Sequence, residues 1–315
     1  IDAIGNDTRA LSPGSLYVAL RGERFDGHAF AADAVQRGAS ALLVERVLPL
    51  DVPQVVVADA LQALATIAAR MQRERSTRVF AITGSNGKTS VKNLLLTILA
   101  HHAAIEGLQV YATPGNRNNE VGLPLAVIDA PEDADFAIYE MGAGKPGDIA
   151  WLTDVARPDF ALVNNIAPAH MERMGSLLGI ASTKGAIYAA LSTTGVAVIN
   201  ADDAFAPWFE QHVVGVPARC GVLRFGLDHT ADVTALAIQP GSGGSRFVLS
   251  SRQGEADVTL PLPGRHNVLN ALAAASLAIA AGIPVARIAE ALGQVQPVKG
   301  RQVEVTLDSG AVLID

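Results

Sequence analysis

The chain has 315 residues, of which half are hydrophobic and 17% are charged, and its net charge is −7 at pH 7. This composition suits about two domains with sizeable cores and disfavours a nucleic-acid-binding protein, which normally has a basic face. A single cysteine, Cys220, excludes a disulfide framework within the chain. No apolar run approaches the ~18 residues of a membrane helix, and no signal peptide is visible. We therefore expect a cytoplasmic protein without membrane insertion.

Residues 1–77 are predicted to form a small α/β unit. The predicted strands are residues 15–20, 41–44 and 54–57, and the predicted helices are residues 29–37 and 61–75. Two polar clusters, Asp7-Thr8-Arg9 and Asp26-Gly27-His28, lie between these elements. Aspartate and glycine are common turn residues, so both turn chemistry and ligand binding remain open for these clusters.

The stretch from Arg78 to Ala100 predicts a strand, a glycine-rich loop and a helix. Residues 79–82 are a short apolar run, and residues 90–100 repeat apolar side chains at helical spacing. Between them, the loop reads G-x-x-G-K-T, which departs from the general G-x-x-x-x-G-K-[ST] pattern. Loop amides and a helix N-terminus attract phosphate, so Lys88 would reach the β- and γ-phosphates and Thr89 would hold Mg²⁺. The phosphate-binding candidates are Gly84, Asn86, Gly87, Lys88, Thr89 and Ser90.

Residues 78–295 are predicted to form a central doubly wound, mostly parallel sheet with an antiparallel appendage, so the fold class is α/β. Beyond the glycine-rich loop at residues 83–89, called the phosphate loop below, the predicted parallel strands are residues 136–139, 160–163, 197–199 and 222–225. The appendage would comprise residues 232–238, 246–251 and 257–260. Two helices are predicted at residues 267–281 and 284–292. Residues 296–315 open a further element, with strand-like residues 302–307 and 311–314.

Polar loops follow successive predicted strands, where α/β sheets place their ligands. The loop at residues 113–122 contains three asparagines, among them Asn118 and Asn119, and is typical of either a ligand contact or a turn. Glu140 directly follows a predicted strand, and we favour Mg²⁺ binding over a salt-bridged surface glutamate. His170 could be a second metal ligand, contact the substrate or serve as a structural hydrogen-bonding residue.

Two further positions have open interpretations. Lys184 follows Gly179 near a predicted helix start, where a lysine is usually a solvated charge. Asn267 and Asn270 share one helical face at i and i+3, so they would either bind a base edge or cap the helix.

Six ordered motifs together resemble the Mur ligase family of bacterial cell-wall synthesis. They are TGSNGKTS, TPGNRNNEVG, EMGAGKPGDIA, NIAPAHMERMGS, STKGAIY and GRHNVLNALAA. The segment DTRALSPGSLYVALRGERFDGHAF is similar to the uridine-nucleotide-binding domain of the family members that join D-Ala-D-Ala to UDP-N-acetylmuramoyl-tripeptide. The resemblance covers nearly all of the chain.

The resemblance implies an ATP-dependent amide ligase with two Mg²⁺ ions. ATP would phosphorylate the substrate carboxylate to an acyl phosphate, which the amine of D-Ala-D-Ala would attack. Lys88 would steady the ATP phosphates, and Thr89 and Glu140 would hold one Mg²⁺. His170 would help to hold a second Mg²⁺, together with Lys184 if that lysine is carbamylated. The catalytic candidates are thus Lys88, His170 and Lys184.

The resemblance also assigns contacts with the rest of both ligands. Asn267 and Asn270 fall at the adenine-contacting motif, Arg301 resembles an ATP-contacting arginine, and Asp315 resembles a ribose-contacting aspartate. Thr8, Arg9, Asp26 and His28 would serve the UDP-sugar, while Asn118 and Asn119 would serve its muramoyl-peptide arm.

Family members carry a third, Rossmann-like domain that closes over ATP. Only residues 296–315 would belong to it here. The chain begins at Ile1 rather than methionine and stops directly after a predicted strand, which suggests that part of the natural protein is missing. We therefore expect a monomeric fragment, with domains at 1–77, 78–295 and 296–315, that ligates little on its own. The alternatives are a sibling Mur ligase, a folylpolyglutamate-type ligase, or a nucleotide-dependent binding module without catalysis.

Overall fold

The computed structural model describes residues 1–22, 25–169, 171–215 and 219–296, together with the backbone of Glu304–Thr306 and Val312–Ile314. Within these residues, one small parallel sheet precedes a large central sheet along the chain. None of the described helices combines the length and the apolar character that crossing a membrane requires.

The N-terminal sheet has four parallel strands that lie in chain order. These strands are β1 (Ile4–Gly5), β2 (Leu16–Val18), β3 (Ala41–Val44) and β4 (Gln54–Val56). Its helices are α1 (Ala31–Gln36) and α2 (Ala60–Glu74), and short 3-10 turns lie at Thr8–Ala10 and Gly27–Phe30. The apolar run of β3 is buried throughout, as expected for a strand covered on both faces.

The central sheet has nine strands in the order β13-β12-β11-β10-β9-β8-β5-β7-β6. The strands are β5 (Arg78–Thr83), β6 (Val110–Ala112), β7 (Phe136–Glu140), β8 (Phe160–Val163), β9 (Val196–Asn200), β10 (Gly221–Phe225), β11 (Val233–Gly241), β12 (Gly244–Ser251) and β13 (Gly254–Leu260). Every neighbouring pair from β6 to β11 is parallel. The two pairs that join β11, β12 and β13 are antiparallel.

Helices cover both faces of this sheet. They are α3 (Lys88–Glu106), α4 (Gly122–Asp129), α5 (Asp148–Ala156), α6 (Met171–Met174), α7 (Leu177–Ala189), α8 (Ala206–Trp208), α9 (Arg265–Ala280) and α10 (Val285–Leu292), with a π-helical turn at Phe209–Val214. On β5, Phe80 and Ile82 join the core formed with α3, α9 and α10. Val79 and Ala81 alternate with them and join the core formed with α4, α5 and α7. The sheet is therefore doubly wound, as predicted.

Two helices connect the small sheet to the central one. Leu125 of α4 packs into the core of the N-terminal sheet. Ala65 and Ala68 of α2 pack in turn into a core of the central sheet. Each of these helices thus contributes to the burial of both sheets.

The predicted strands of both sheets are confirmed, with ends that differ by three residues at most. The predicted antiparallel appendage is confirmed, and its strands continue the central sheet at one edge. Sequence patterns assigned no bounds to β1, β6, α4, α5, α6 and α8. β6 has only three half-buried residues, and α4 contains Pro124 near its start, so neither has a strong pattern.

Further differences concern helix lengths and the end of the chain. α3 extends six residues beyond the predicted residue 100, to Glu106, and Gly107 ends it in the left-handed conformation at φ 72°. Lys184 lies in the middle of α7 rather than near its start. At the end of the chain, β14 (Glu304–Thr306) and β15 (Val312–Ile314) pair antiparallel, in agreement with the predicted strands there.

Candidate functional site

The glycine loop after β5 has the strand–loop–helix form that phosphate binding requires. Gly84 and Gly87 have φ angles of 151° and 78°, which side-chain-bearing residues rarely adopt. Gly87 directly precedes α3, and Thr89 and Ser90 lie in the first turn of that helix. Lys88 Nζ donates hydrogen bonds to the carbonyls of Gly84 and Ser85, at 2.8 and 3.3 Å. The lysine is thus folded over the loop whose amides would face an anion.

The loop is held in place by the segment that follows β8. Ser85 Oγ donates to the carbonyl of Ala167 and accepts from its amide, both at 2.9 Å. The amide of Ser85 donates to the carbonyl of Asn165, and the amide of Asn86 donates to Asn165 Oδ1 at 2.9 Å. Backbone and side chain of the loop are therefore both bonded to residues 165–167.

A buried pair of asparagines supports the loop from behind. Asn164 Nδ2 donates to Asn270 Oδ1 at 3.0 Å and to the carbonyl of Asn86 at 3.1 Å. A Cβ atom on Gly87 would lie 2.5 Å from Asn164 Nδ2 and 2.8 Å from Asn270 Oδ1. Asn200 Nδ2 donates to the carbonyl of Asn164 at 2.9 Å. The close fit explains glycine at position 87 and connects α9 to the phosphate loop.

The two asparagines predicted to contact a base have different surroundings. Asn270 Oδ1 accepts the hydrogen bond from Asn164 Nδ2. Asn267 Nδ2 donates to the carbonyl of Pro263 at 2.7 Å, which stabilises the start of α9. Base binding by either side chain stays a prediction.

Glu140 lies at the end of β7 with its side chain buried, which contradicts the surface-glutamate alternative. Its Oε1 accepts a hydrogen bond from Asn118 Nδ2 at 2.9 Å. Its Oε2 accepts none and lies 3.5 Å from Lys92 Nζ. A buried carboxylate oxygen with no hydrogen bond suits a hard cation such as Mg²⁺. No group of three or more His, Cys, Asp or Glu residues with a metal-binding arrangement occurs among the residues that the structure describes.

One cleft of about 460 Å³ collects several of the predicted residues. Lys88 lines it together with Asn118, Asn119 and Lys184. The other lining residues are Ser85, Glu120, Gly142, Ala143, Gly144, Lys145, Asp148, Ala169 and Arg173. The cleft therefore lies between the phosphate loop, the asparagine-rich loop (residues 113–122) and α7, at the carboxyl edge of the central sheet. A larger hollow of about 1060 Å³ between α2 and α5 contains none of the predicted residues.

Lys184 is a buried lysine rather than a solvated charge. Burial, together with the positive charge of Lys88, lowers its pKa from 10.5 to about 8. Its amine thus has a much larger neutral fraction near neutral pH than an exposed lysine has.

Across the cleft from Lys184, Asn119 Oδ1 accepts a hydrogen bond from the amide of Gly122 at 2.8 Å and so fixes the start of α4.

The residues predicted to serve the UDP-sugar follow β1 (Thr8 and Arg9) and β2 (Asp26 and His28). Arg9 is exposed and pairs with Asp7 at 2.7 Å, and this contact lowers the pKa of Asp7 to about 2. Thr8 lies beside the Asp33 carboxylate and is the main reason that the pKa of that carboxyl is lowered. Arg9 is thus bonded to Asp7, and Thr8 interacts with Asp33.

His28 is buried, and both of its ring nitrogens are engaged. Nε2 accepts the amide of Glu45 at 2.9 Å, so Nδ1 carries the proton that faces Asp26 Oδ1 at 2.5 Å. His28 thus positions Asp26 and the end of β3. Arg46 approaches the other oxygen of Asp26 at 3.0 Å, and the bonds to His28 are the main reason that the pKa of Asp26 is lowered.

Three predicted site residues, His170, Arg301 and Asp315, lie outside the described residues, so their roles stay predictions. Four residues to which sequence patterns assigned no role lie around the candidate residues: Ser85, Lys92, Asn164 and Arg46. Lys92 had a detectable signal, because it follows Lys88 by one helical turn and therefore shares its face of α3.

Comparison with known protein families gives two matches along the chain. The family model described as "Mur ligase family, catalytic domain" matches residues 1–72. The model described as "Mur ligase middle domain" matches residues 82–278. The second match alone covers more than half of the chain and includes the phosphate loop, Glu140 and Lys184.

Individual relatives agree with the family matches. The chain is 43% identical to the UDP-N-acetylmuramoyl-tripeptide--D-alanyl-D-alanine ligase of Escherichia coli, over all of this chain and 68% of the relative. It superimposes on a MurF crystal structure from Acinetobacter baumannii with a TM-score of 0.93 and 32% identity, over all of this chain and 67% of that one. The MurF ligase of Thermotoga maritima in complex with ADP gives a TM-score of 0.86 and 28% identity, over 99% of this chain and 70% of that one.

Replacing Gly87 by alanine tests whether the asparagine pair supports nucleotide binding. We expect Gly87→Ala to lower the affinity for ADP at least tenfold, because the new Cβ would displace Asn164 and Asn270. Gly107→Ala is the matched control, since Gly107 ends the same helix at φ 72° with no atom within 4 Å of the added Cβ. Both variants should lose about 1–2 kcal/mol of unfolding free energy from the left-handed backbone. Equal ADP affinity of the two variants by calorimetry would contradict the expectation.

Proposed function

We propose, because this chain belongs to the Mur ligase family, that it serves an ATP-dependent ligase which joins D-Ala-D-Ala to UDP-N-acetylmuramoyl-tripeptide in peptidoglycan synthesis. The chain spans about two thirds of the relatives it matches, and we expect it to ligate little on its own. The observation that carries the proposal is the cleft in which Lys88, Lys184, Asn118 and Asn119 meet. Phosphate-binding and amide side chains on one cleft suit a reaction between ATP and an extended polar substrate. We expect the protein to act as a cytoplasmic monomer.

In the proposed reaction, the substrate carboxylate attacks the γ-phosphorus of ATP, and ADP leaves as an acyl phosphate forms. The amine of D-Ala-D-Ala then attacks the acyl carbon, and the tetrahedral intermediate loses phosphate to give an amide. Lys88 and the loop amides stabilise the transferred phosphoryl group by charge and hydrogen bonds. The preformed loop holds these donors in position before the ligand arrives, so little reorganisation accompanies the transfer.

The asparagine-rich loop is proposed to hold the peptide arm of the substrate beside the phosphates. Asn118 and Asn119 line the same cleft as Lys88, and their amides offer both donors and acceptors. Thr8, Arg9, Asp26 and His28 are proposed to serve the UDP-sugar from the N-terminal sheet, with His28 acting through Asp26. Asn267 and Asn270 are proposed to contact the adenine, and Arg301 and Asp315 the rest of the nucleotide.

Two Mg²⁺ ions are proposed, held by Thr89 and Glu140 and by His170 and a carbamylated Lys184. Bound Mg²⁺ would neutralise phosphate charge during the transfer. The buried Glu140 oxygen without a hydrogen bond fits the first ion. Carbamylation requires a neutral amine, which attacks CO₂ to form an N–C bond and then releases a proton. The lowered pKa of Lys184 favours this step.

Binding of the UDP-linked substrate tests the proposed function directly. We expect titration of UDP-MurNAc-tripeptide into the chain to give saturable one-to-one binding by calorimetry. Asn118→Ala should weaken this binding about tenfold, the equivalent of one hydrogen bond of ~1.4 kcal/mol. Asn116→Ala is the control, because Asn116 is an exposed asparagine of the same loop and should leave the affinity unchanged. Firm Mg-ATP binding without any binding of the UDP-peptide would refute the assignment and favour another nucleotide-dependent protein.

Carbamylation of Lys184 is testable without an activity assay. With ¹³C-bicarbonate, we expect a carbamate carbon signal that grows from pH 6.5 to about 8, since the neutral amine increases as the pH approaches the lowered pKa of Lys184. Lys184→Met should remove that signal. Lys145→Met should keep it, because Lys145 is an exposed lysine of the same cleft. A signal that survives in Lys184→Met would show that another amine is carbamylated.

A further inference from the structure

Lys92 is a buried lysine to which neither the motif nor the proposed chemistry assigns a role. It lies on α3 one turn beyond Lys88, and only 4% of its surface is exposed. Lysines are almost never buried to this degree unless they are paired, since removing an ammonium group from water is costly. The contacts of Lys92 therefore indicate what it does.

The ammonium group of Lys92 contacts three partners, all belonging to the candidate site. Nζ donates to the carbonyl of Thr113 at 3.1 Å and to that of Gly115 at 2.9 Å. It also lies 3.5 Å from Glu140 Oε2. Lys92 thus fixes the first turn of the asparagine-rich loop and supplies the nearby positive charge for a buried carboxylate.

Asn118 is connected to Lys92 in two ways. Through the backbone, Asn118 lies three residues beyond Gly115, whose carbonyl Lys92 holds. Through side chains, Asn118 Nδ2 donates to Glu140 Oε1, while Lys92 faces the other oxygen of the same carboxylate. The position of Asn118 in the cleft therefore depends on Lys92, although Lys92 does not itself line the cleft.

We propose that Lys92 is a positioning residue, which ties the asparagine-rich loop to the helix of the phosphate loop and thereby places Asn118 for the UDP-linked peptide substrate. This inference rests on the proposed function, since it takes the substrate of the cleft from there. It adds a second use of α3. The first turn of the helix would serve the nucleotide and its second turn the peptide substrate.

The test is a double-mutant cycle that follows UDP-MurNAc-tripeptide binding by calorimetry without divalent cations. Lys92→Met keeps the length of the side chain and removes its charge and its donors. We expect it to lower affinity for the UDP-peptide about tenfold and to leave affinity for ADP within twofold of the wild type. Combined with Asn118→Ala, it should weaken binding no further than Asn118→Ala alone, because both changes remove the same contact.

Two controls separate positioning from a general effect on folding. Arg78→Met removes an exposed cation that donates to the Ala281 carbonyl at 3.0 Å, at the opposite end of β5, and should leave the binding of both ligands unchanged. If Lys92→Met alone does not fold, it is combined with Glu140→Gln, since replacing both partners leaves neither buried charge unpaired.

The outcomes distinguish this inference from the proposed function. If Asn118→Ala weakens binding but Lys92→Met does not, or if the two losses add, the positioning role is wrong and the proposed function stands. Equal losses of UDP-peptide and ADP binding in Lys92→Met would also overturn the positioning role. If the wild-type chain does not bind the UDP-peptide, the proposed function itself fails.

Discussion

The candidate site depends on the hydrogen bonds between the phosphate loop and the segment after β8. A glycine-rich loop has many accessible conformations, and ordering it costs conformational entropy. Ser85 and Asn86 offset this cost by bonding to Asn165 and Ala167 through backbone and side-chain atoms. The parallel pairing of β5 with β8 makes the contact feasible, since it brings the carboxyl ends of the two strands side by side. The sheet thus determines where the loop lies, and the segment after β8 determines its conformation.

Buried charge is the second feature that organises the cleft. Glu140 is paired with Lys92. Lys184 is also buried, and the charge on Lys88 lowers its pKa further. Isolated charges of this kind would be costly to remove from water, so their positions relative to one another are tightly constrained. Polar groups that are fixed before a ligand arrives stabilise charge that develops during a reaction without having to reorganise. The same arrangement gives Lys184 an amine that is easily neutralised and leaves one oxygen of Glu140 without a hydrogen bond.

Sequence patterns predicted the doubly wound sheet and most of its strands because buried parallel strands such as Phe160–Val163 are continuous apolar runs. They also predicted the strand, glycine loop and helix from Arg78 onward, whose residues are adjacent in sequence. The contacts of Lys92 and of the Asn164–Asn270 pair could not be predicted, since the partners lie 21 to 106 residues away along the chain. The spacing of Lys92 from Lys88 indicated its face of α3 but not its partners. For the same reason, the hydrogen bonds of both His28 nitrogens could not be predicted, because Glu45 lies 17 residues further along the chain, directly after β3. The burial of Lys184 in the middle of α7 likewise depends on tertiary packing.

The central claim is that the segment after β8 sets the conformation of the phosphate loop before a ligand binds. A crystal structure of this chain with ADP bound, compared with one of the chain without nucleotide, tests this most directly. If the loop is preformed, the diphosphate will contact residues 84–89, and the bonds of Ser85 to Ala167 and of Asn164 to Asn270 will be present in both structures. If the diphosphate binds elsewhere, or if those bonds form only when ADP is bound, the segment after β8 does not set the conformation of the loop, and the account given for the site is wrong.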